Sequence, residues 1–360
     1  MIPTIDLSTA LHILTAPEDY FFHWALSVKK ALSPYITYSK NVFIPLTHVC
    51  RNACGYCIFR KEPNPGNNIL KKEEVLHLLK RAESEKCTEA LFTFGEKPEV
   101  YPQVRQELKK MGYTSLVEYL RDLCEYTVEK TGLFPHSNPG ILTEEELSEL
   151  KPVNASVGLM LETASYRLLK TKAHQYSPGK TPALRLKTIE SAGNLKIPFT
   201  TGILVGIGET DLEICQSLLA IKEIHEKYGH IQEIIIQNFQ PKPQTPMENF
   251  KPVPLSKLVN IVVLARLLFP SISIQVPPNL NRENLTPLLQ AGADDLGGIS
   301  PVTPDYVNPE HAWPNLDSLT YEKRERLPVY PKYINREYLS DKVYEKAVSV
   351  TDEEGYVVVT

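Results

Sequence analysis

The chain has 360 residues, of which 42% are apolar and 23% charged, and a net charge of −4. That length suits one large α/β barrel or two ordinary domains, with enough apolar material for a sizeable core. The slight negative charge gives no electrostatic reason to expect a nucleic-acid partner, and the most apolar stretch, Ile261 to Phe269, is too short to span a bilayer and is broken by Arg266.

Residues 1–40 read as a helical N-terminal extension without the basic-then-apolar pattern of a signal peptide. From residue 41 to 335, apolar runs of strand length alternate with helix-period segments, as βα units of a parallel sheet do. Strands are expected near 41–46, 89–94, 133–136, 156–161, 198–205, 232–238, 271–276 and 293–297. Thr143 with Glu146 and Thr210 with Glu213 form capping boxes, Gly229 stands where the second of those helices should stop, and Pro182 follows the cap residue Thr181. Ser256 is expected to open the apolar helix closed by Pro270. Eight strands make a complete (β/α)8 barrel of TIM type, class α/β, whose active site belongs at the C-terminal ends of the strands. Residues 336–360 read as a short C-terminal tail. Cys87, Cys124 and Cys215 are scattered in helix-like or strand-edge stretches and read as small buried residues, so the six cysteines form no disulfide framework, and a cytoplasmic location is expected.

The remaining three cysteines, Cys50, Cys54 and Cys57, lie in one loop directly after the first strand, in the spacing C-x3-C-x2-C. Three thiolates can hold three irons of a cubic 4Fe-4S cluster and leave the fourth open to a small molecule. Zinc with a fourth ligand such as His48, or three unrelated cysteines in a turn, are the alternatives at this point. With Tyr56 before the third cysteine, the loop resembles the signature of the radical S-adenosyl-L-methionine (SAM) enzymes.

The other strand ends carry groups that this resemblance calls for. Strand 2 ends in Gly95-Glu96, a partial match to the superfamily's Gly-Gly-Glu motif because Phe94 replaces the first glycine. The resemblance implies that Gly95 and Glu96 hold the SAM amino group, that Glu162 at the end of strand 4 accepts from the ribose, and that Arg185 reaches the SAM carboxylate with its fork. It also places Gly206, in Gly202-Ile-Leu-Val-Gly206-Ile-Gly-Glu209, and Asn238 near adenine. Each has a plainer reading as a turn glycine, a helix cap or a surface side chain, but their agreement in order and spacing favours the radical SAM fold.

Glu89 to Pro98, Leu150 to Ser156, Gln237 to Pro243 and Gly297 to Pro309 resemble one family in particular, the small single-barrel subunit of 7,8-didemethyl-8-hydroxy-5-deazariboflavin synthase, with His48 standing where many members would have asparagine. Membership implies that a companion radical SAM subunit joins tyrosine's hydroxybenzyl group to 5-amino-6-(D-ribitylamino)uracil. This chain would then cleave SAM, with electrons from a donor such as ferredoxin or flavodoxin, and turn that adduct into the deazaflavin with loss of ammonia. His136 is the proton-transfer candidate; Asn138, Gln275, Asp294 and Asp295 are the substrate-contact candidates, chosen from strand position. Rival readings are a biotin-synthase-like enzyme, disfavoured by Gln275 and the placement of the spare cysteines, and a non-catalytic Fe–S or zinc carrier. An RNA-binding module is opposed by the charge and by the lack of a basic, aromatic-interleaved stripe.

Overall fold

The computed structural model describes residues 5–17, 20–315 and 321–358. Eight parallel strands close into a barrel: β1 (Ile36–Thr47), β2 (Glu89–Phe94), β3 (Phe134–Asn138), β4 (Ser156–Gly158), β5 (Phe199–Val205), β6 (Ile231–Asn238), β7 (Ser273–Gln275) and β8 (Asp295–Ile299). Each strand pairs with the next, and β1 closes the ring by pairing with both β2 and β8. β5 is buried along its whole length because helices cover its outer face. A wholly buried strand reads as a continuous apolar run, which is why β5 is so plain in the sequence.

Thr143–Glu146 and Thr210–Glu213 form the two capping boxes, and Gly229 closes the helix Asp211–Tyr228 at a φ of +69°. Two other terminal signals behave differently. Thr181 caps with backbone only, and the helix Leu255–Leu268 begins one residue early, after Pro254, leaving Ser256 inside its first turn. Arg266 on that helix does not break it. The side chain is fully buried and donates to the carbonyls of Gly292, Phe269 and Ile272 and to Asp294 Oδ1 at 2.5 Å.

Helices Leu7–Thr15 and Phe22–Leu32 precede the barrel and pack on the helices that follow β5 and β6. β1 itself starts at Ile36, where the first turns of the strand pair with a ninth, three-residue strand, β9 (Lys323–Glu325). After β9 the chain crosses the N-terminal mouth of the barrel. The Pro328 carbonyl accepts from Ser156 Oγ of β4 (2.7 Å) and Gln232 Nε2 of β6 (2.9 Å), and the Tyr330 N–H donates back to Gln232 Oε1 (3.1 Å). The last helix, Asp341–Val350, buries Val343 and Ala347 beside Leu327, Val329 and Phe134. Its Lys346 donates to the carbonyls of Thr127, Val128, Thr131 and Leu133, caring for the bare C-terminal end of the helix Leu116–Lys130.

Candidate active site

The loop after β1 brings Cys50, Cys54 and Cys57 to the wall of one cavity of about 410 Å³ inside the barrel. Backbone bonds hold the loop from three sides: Arg51 N to Glu96 O, Ala53 N to Tyr176 O and Gly55 N to Ala173 O. Two glycines make the fit. A Cβ on Gly55 would overlap the Lys172 carbonyl, and one on Gly95 would overlap the Val49 carbonyl and Cys50 Cβ. Gly95 also donates its N–H to Thr47 O (2.9 Å), so its visible work is the close approach of β2 to the cysteine loop.

Around the thiols stand two acids, Glu96 and Glu162, and three cations, Arg51, Lys180 and Arg185. Glu96 Oε1 accepts from Arg51 and from Asn52 Nδ2 at 3.0 Å, while its Oε2 accepts from Ile141 N and Arg185 Nη1 at 3.2 Å. Burial favours its neutral form, but Arg185, Lys180, Asn52 and Arg51 outweigh that and hold the carboxyl below its usual range. Glu162 accepts from Lys180 Nζ at 2.6 Å, with Arg185 Nη2 at 3.9 Å. Burial again opposes its charge and the two cations prevail. Glu162 sits at a φ of +65°, a left-handed conformation costing a non-glycine residue roughly 1–2 kcal/mol. Strain of that kind collects at functional sites. Arg185 also bonds the carbonyls of Met160 (2.6 Å) and Gly179 (3.1 Å), so it ties the end of β2, through Glu96, to the segment that follows β4.

The thiols fit a multi-iron cluster better than a single ion. Among the described residues, no three His, Cys, Asp or Glu side chains converge as one metal ion would require. His48 bonds the Phe59 carbonyl through Nδ1 (2.9 Å) and packs its ring on Phe59, and it is not among the residues that line the cavity with the three thiols. Cys50 Sγ accepts from the N–H groups of Asn52 and Glu96, and Cys54 Sγ from Ser177 Oγ at 3.2 Å. Such donors to sulfur are the means by which a protein tunes a cluster. Burial pushes the bare Cys50 thiol up to about 11 and raises Cys54 too, so ligation is what would make thiolates of them.

The radical SAM superfamily model matches residues 44–221. The chain is 56% identical over 323 residues to the 7,8-didemethyl-8-hydroxy-5-deazariboflavin synthase of Methanocaldococcus jannaschii, covering 88% of this chain and 89% of that one. It is 54% identical over 318 residues to the protein of that name from Methanothermobacter thermautotrophicus, covering 86% and 96%. The chain belongs to the 7,8-didemethyl-8-hydroxy-5-deazariboflavin synthase family. Among solved structures, the hydrogenase maturase HydG from Carboxydothermus hydrogenoformans has a TM-score of 0.69 at 19% identity, over 88% of this chain and 72% of that one. Methylornithine synthase gives 0.67 at 19% identity, over 96% and 97%. At such identities these two speak for the fold alone. Membership makes this chain a radical SAM enzyme of deazaflavin biosynthesis, and the superfamily implies a 4Fe-4S cluster and SAM.

The family's cavity runs on from the thiols through the barrel to its floor, where Arg326 and Pro328 line it. Tyr56, Asn138, Asn238, Gln275 and His136 all reach its wall. Tyr56 Oη bonds His174 Nε2 (3.0 Å), and Asn238 Oδ1 accepts from Asn281 (2.9 Å). Gly206 does not reach it: at a φ of +98° it turns the chain, while Glu209 folds back onto the N–H groups of Gly206 and Ile207. Asp294 and Asp295 also stay out of the cavity wall. β8 runs from 295 to 299, two residues later than the apolar run suggests, so both acids stand at its start, at the barrel floor. There Asp294 pairs with Arg266, and Asp295 with Arg326 at 2.6 and 2.8 Å.

His136 has a defined tautomer. Ser156 Oγ gives its only proton to Pro328 O, so it must accept from His136 Nδ1–H (2.6 Å), leaving Nε2 as an acceptor. A Cβ on Gly158 would press on this nitrogen and on Asn138, so the glycine opens the space both face. Burial, with Arg326 adding, pushes the imidazole down to about 3, and it stays neutral at pH 7. Sequence reasoning missed Lys180, whose Ser177-Pro-Gly-Lys180 setting reads as a solvated turn, and the inward acids Glu89 and Glu233, whose signal was a charge at an inward position of an apolar strand.

Proposed function

We propose that this chain converts the 5-amino-5-(4-hydroxybenzyl)-6-(D-ribitylimino)-5,6-dihydrouracil adduct into 7,8-didemethyl-8-hydroxy-5-deazariboflavin, breaking a carbon–nitrogen bond and releasing ammonia, as a lyase. The observation that carries the reading is one cavity with three thiols at its upper end and amides, hydroxyls, His136 and paired charged groups along its wall, in a chain more than half identical to named synthases over most of its length. When bound through Cys50, Cys54 and Cys57, the cluster with SAM supplies a 5′-deoxyadenosyl radical for hydrogen abstraction.

The chain's own residues hold and orient. Glu96, with Gly95 beneath it, and Arg185 are suited to the amine and carboxylate of SAM's methionine part; Glu162, kept ionised by Lys180, suits the ribose hydroxyls. Tyr56 and Asn238 frame the adenine side. Asn138 offers an amide to the uracil, Gln275 offers one to the substrate deeper in the cavity, and His136 Nε2 accepts a hydrogen bond from a substrate N–H or O–H. So low an imidazole basicity makes His136 an orienting acceptor rather than a proton store. The upstream adduct comes from a companion radical SAM subunit and the electron from a ferredoxin- or flavodoxin-like donor. Six free cysteines and an oxygen-labile site suit the reducing cytoplasm.

The test is anaerobic reconstitution, reduction with dithionite, and addition of SAM with the adduct, following 5′-deoxyadenosine and deazaflavin fluorescence together. Both are expected. Deoxyadenosine without fluorescence would overturn the substrate; neither, with a verified cluster, would return the chain to the carrier reading.

A further inference from the structure

The lower half of the cavity is built for something other than SAM. Glu89 opens β2 and Glu96 stands two residues beyond its end, and the five steps of the strand alone span roughly 12–16 Å along the barrel axis at ~3.3 Å of rise per residue. At the lower level the wall is made by Asn41, Glu89, Thr200, Glu233, Gln275 and Arg326. Three buried carboxyl groups there, Glu89, Glu233 and Asp295, share one guanidinium among the described residues, that of Arg326. It is committed: bidentate to Asp295, 3.3 Å from Glu233 Oε1, and laid over the Tyr330 ring. Glu233 Oε2 accepts from Thr200 Oγ1 at 2.9 Å. Burial raises the carboxyl groups of both glutamates, that of Glu233 to about 7.

Independently of the acids, one polar atom at this level waits for a partner. Asn41, which pairs with Glu89 across β1 and β2, is 1% exposed and lines the cavity, yet its Oδ1 has no hydrogen-bond partner. A buried amide oxygen left bare costs about 1–3 kcal/mol, so a donor is expected to fill the place.

We infer that this lower chamber seats the ribityl chain of the substrate, with Glu89, Glu233 and Asn41 taking its hydroxyls while the ring system reaches up toward the cysteine loop. The assignment rests on the function proposed above. Reacting carbons must lie at the thiol end, so the unreactive polyol takes the far end. Hydroxyls both donate and accept, which matches a layer of acids and amides, and a carboxylate can accept from two neighbouring hydroxyls at once. The same three carboxyl groups, set against one guanidinium among the described residues that is already engaged, and a floor crossed by 326–330 disfavour a terminal phosphate.

The experiment compares three adducts, bearing ribityl, hydroxyethyl or ribityl phosphate chains, on the reconstituted enzyme and on its Glu89→Gln and Glu233→Gln variants. The unaltered enzyme should prefer ribityl over hydroxyethyl by roughly ten- to a hundredfold in kcat/KM, and reject the phosphate. In the variants KM for the ribityl adduct should rise about tenfold with kcat little changed, while KM for the hydroxyethyl adduct stays put. Iron content and the thermal midpoint report folding. If a variant fails to fold, the preference ratio of the unaltered enzyme decides, and a ratio near one overturns the assignment. Equal losses for both adducts in the variants would overturn it too. No deazaflavin from any adduct with the unaltered enzyme would bring down the proposed function and this assignment together.

Discussion

The residues nearest the chemistry are held by backbone as much as by side chain. Gly95 shows this most sharply, because a single methyl there meets the Val49 carbonyl and Cys50. Gly95→Ala is expected to push the cysteine loop away from β2 and lower cluster occupancy several-fold after reconstitution, measured as bound iron and sulfide. Full occupancy would show that the loop can shift without loss. Arg266 marks the opposite extreme, a charge buried far from the thiols. Removing it strands Asp294 and should cost about 3–5 kcal/mol in urea unfolding, whereas Arg266→Met with Asp294→Asn together should cost less than the sum of the singles. Simple additivity would mean the pair is not coupled. At this scale the sequence was uneven. The thiols, Glu96 and Glu162 were legible because they follow strand ends, and Arg185, on the helix Pro182–Asn194, only through the family resemblance. Lys180 was not, since nothing in a Ser-Pro-Gly-Lys turn tells a buried lysine from a solvated one.

At the scale of the element, the clearest device is the start of the helix Asp211–Tyr228. Glu213 closes its capping box, accepts from Arg167 at 2.7 and 2.9 Å, and also takes the hydroxyl of Ser165. These bonds, Arg167 foremost, pull its carboxyl down to about 2 from a usual 4.5. A depressed carboxyl contributes stability above its unfolded pKa and loses it as pH falls through the folded value. Glu213→Gln should therefore cost about 1–2 kcal/mol at pH 7, and the gap to the unaltered chain should close between pH 4.5 and 2 in denaturant titrations. A gap independent of pH would assign the cost to packing. Strand positions were readable wherever apolar runs were long, as in β5 and β6. β8 slipped by two residues because Gly297-Gly298 are poor strand formers and the apolar signal faded before the strand ended. β9 left no signal at all, because three polar residues, Lys323–Glu325, form a strand only through their partner β1.

For the molecule as a whole, the tail is structural. Residues read as peripheral include Lys346, which ties four carbonyls of the barrel's helical layer, and residues 326–330 just before them make the floor. A chain stopped after residue 322 is expected to lose cooperative unfolding and adduct turnover, checked by a thermal scan and the fluorescence assay. Retained turnover would show that β1 to β8 suffice. The barrel class was legible from the alternation of strands and helices. Its closure beneath by the chain's own last segment was not, since that depends on hydrogen bonds between residues some 170 and 100 positions apart, Ser156 and Gln232 with Pro328.

That crossing has a kinetic meaning. A chamber shut at the bottom is a cul-de-sac, and whatever belongs deepest must go in first and come out last. On the proposed seating of SAM across the upper end, beside Glu96, Glu162 and Arg185, a substrate seated below it is locked in by its own co-reactant. Turnover should then follow a compulsory queue: adduct before SAM on the way in, methionine and deoxyadenosine before the coloured product on the way out.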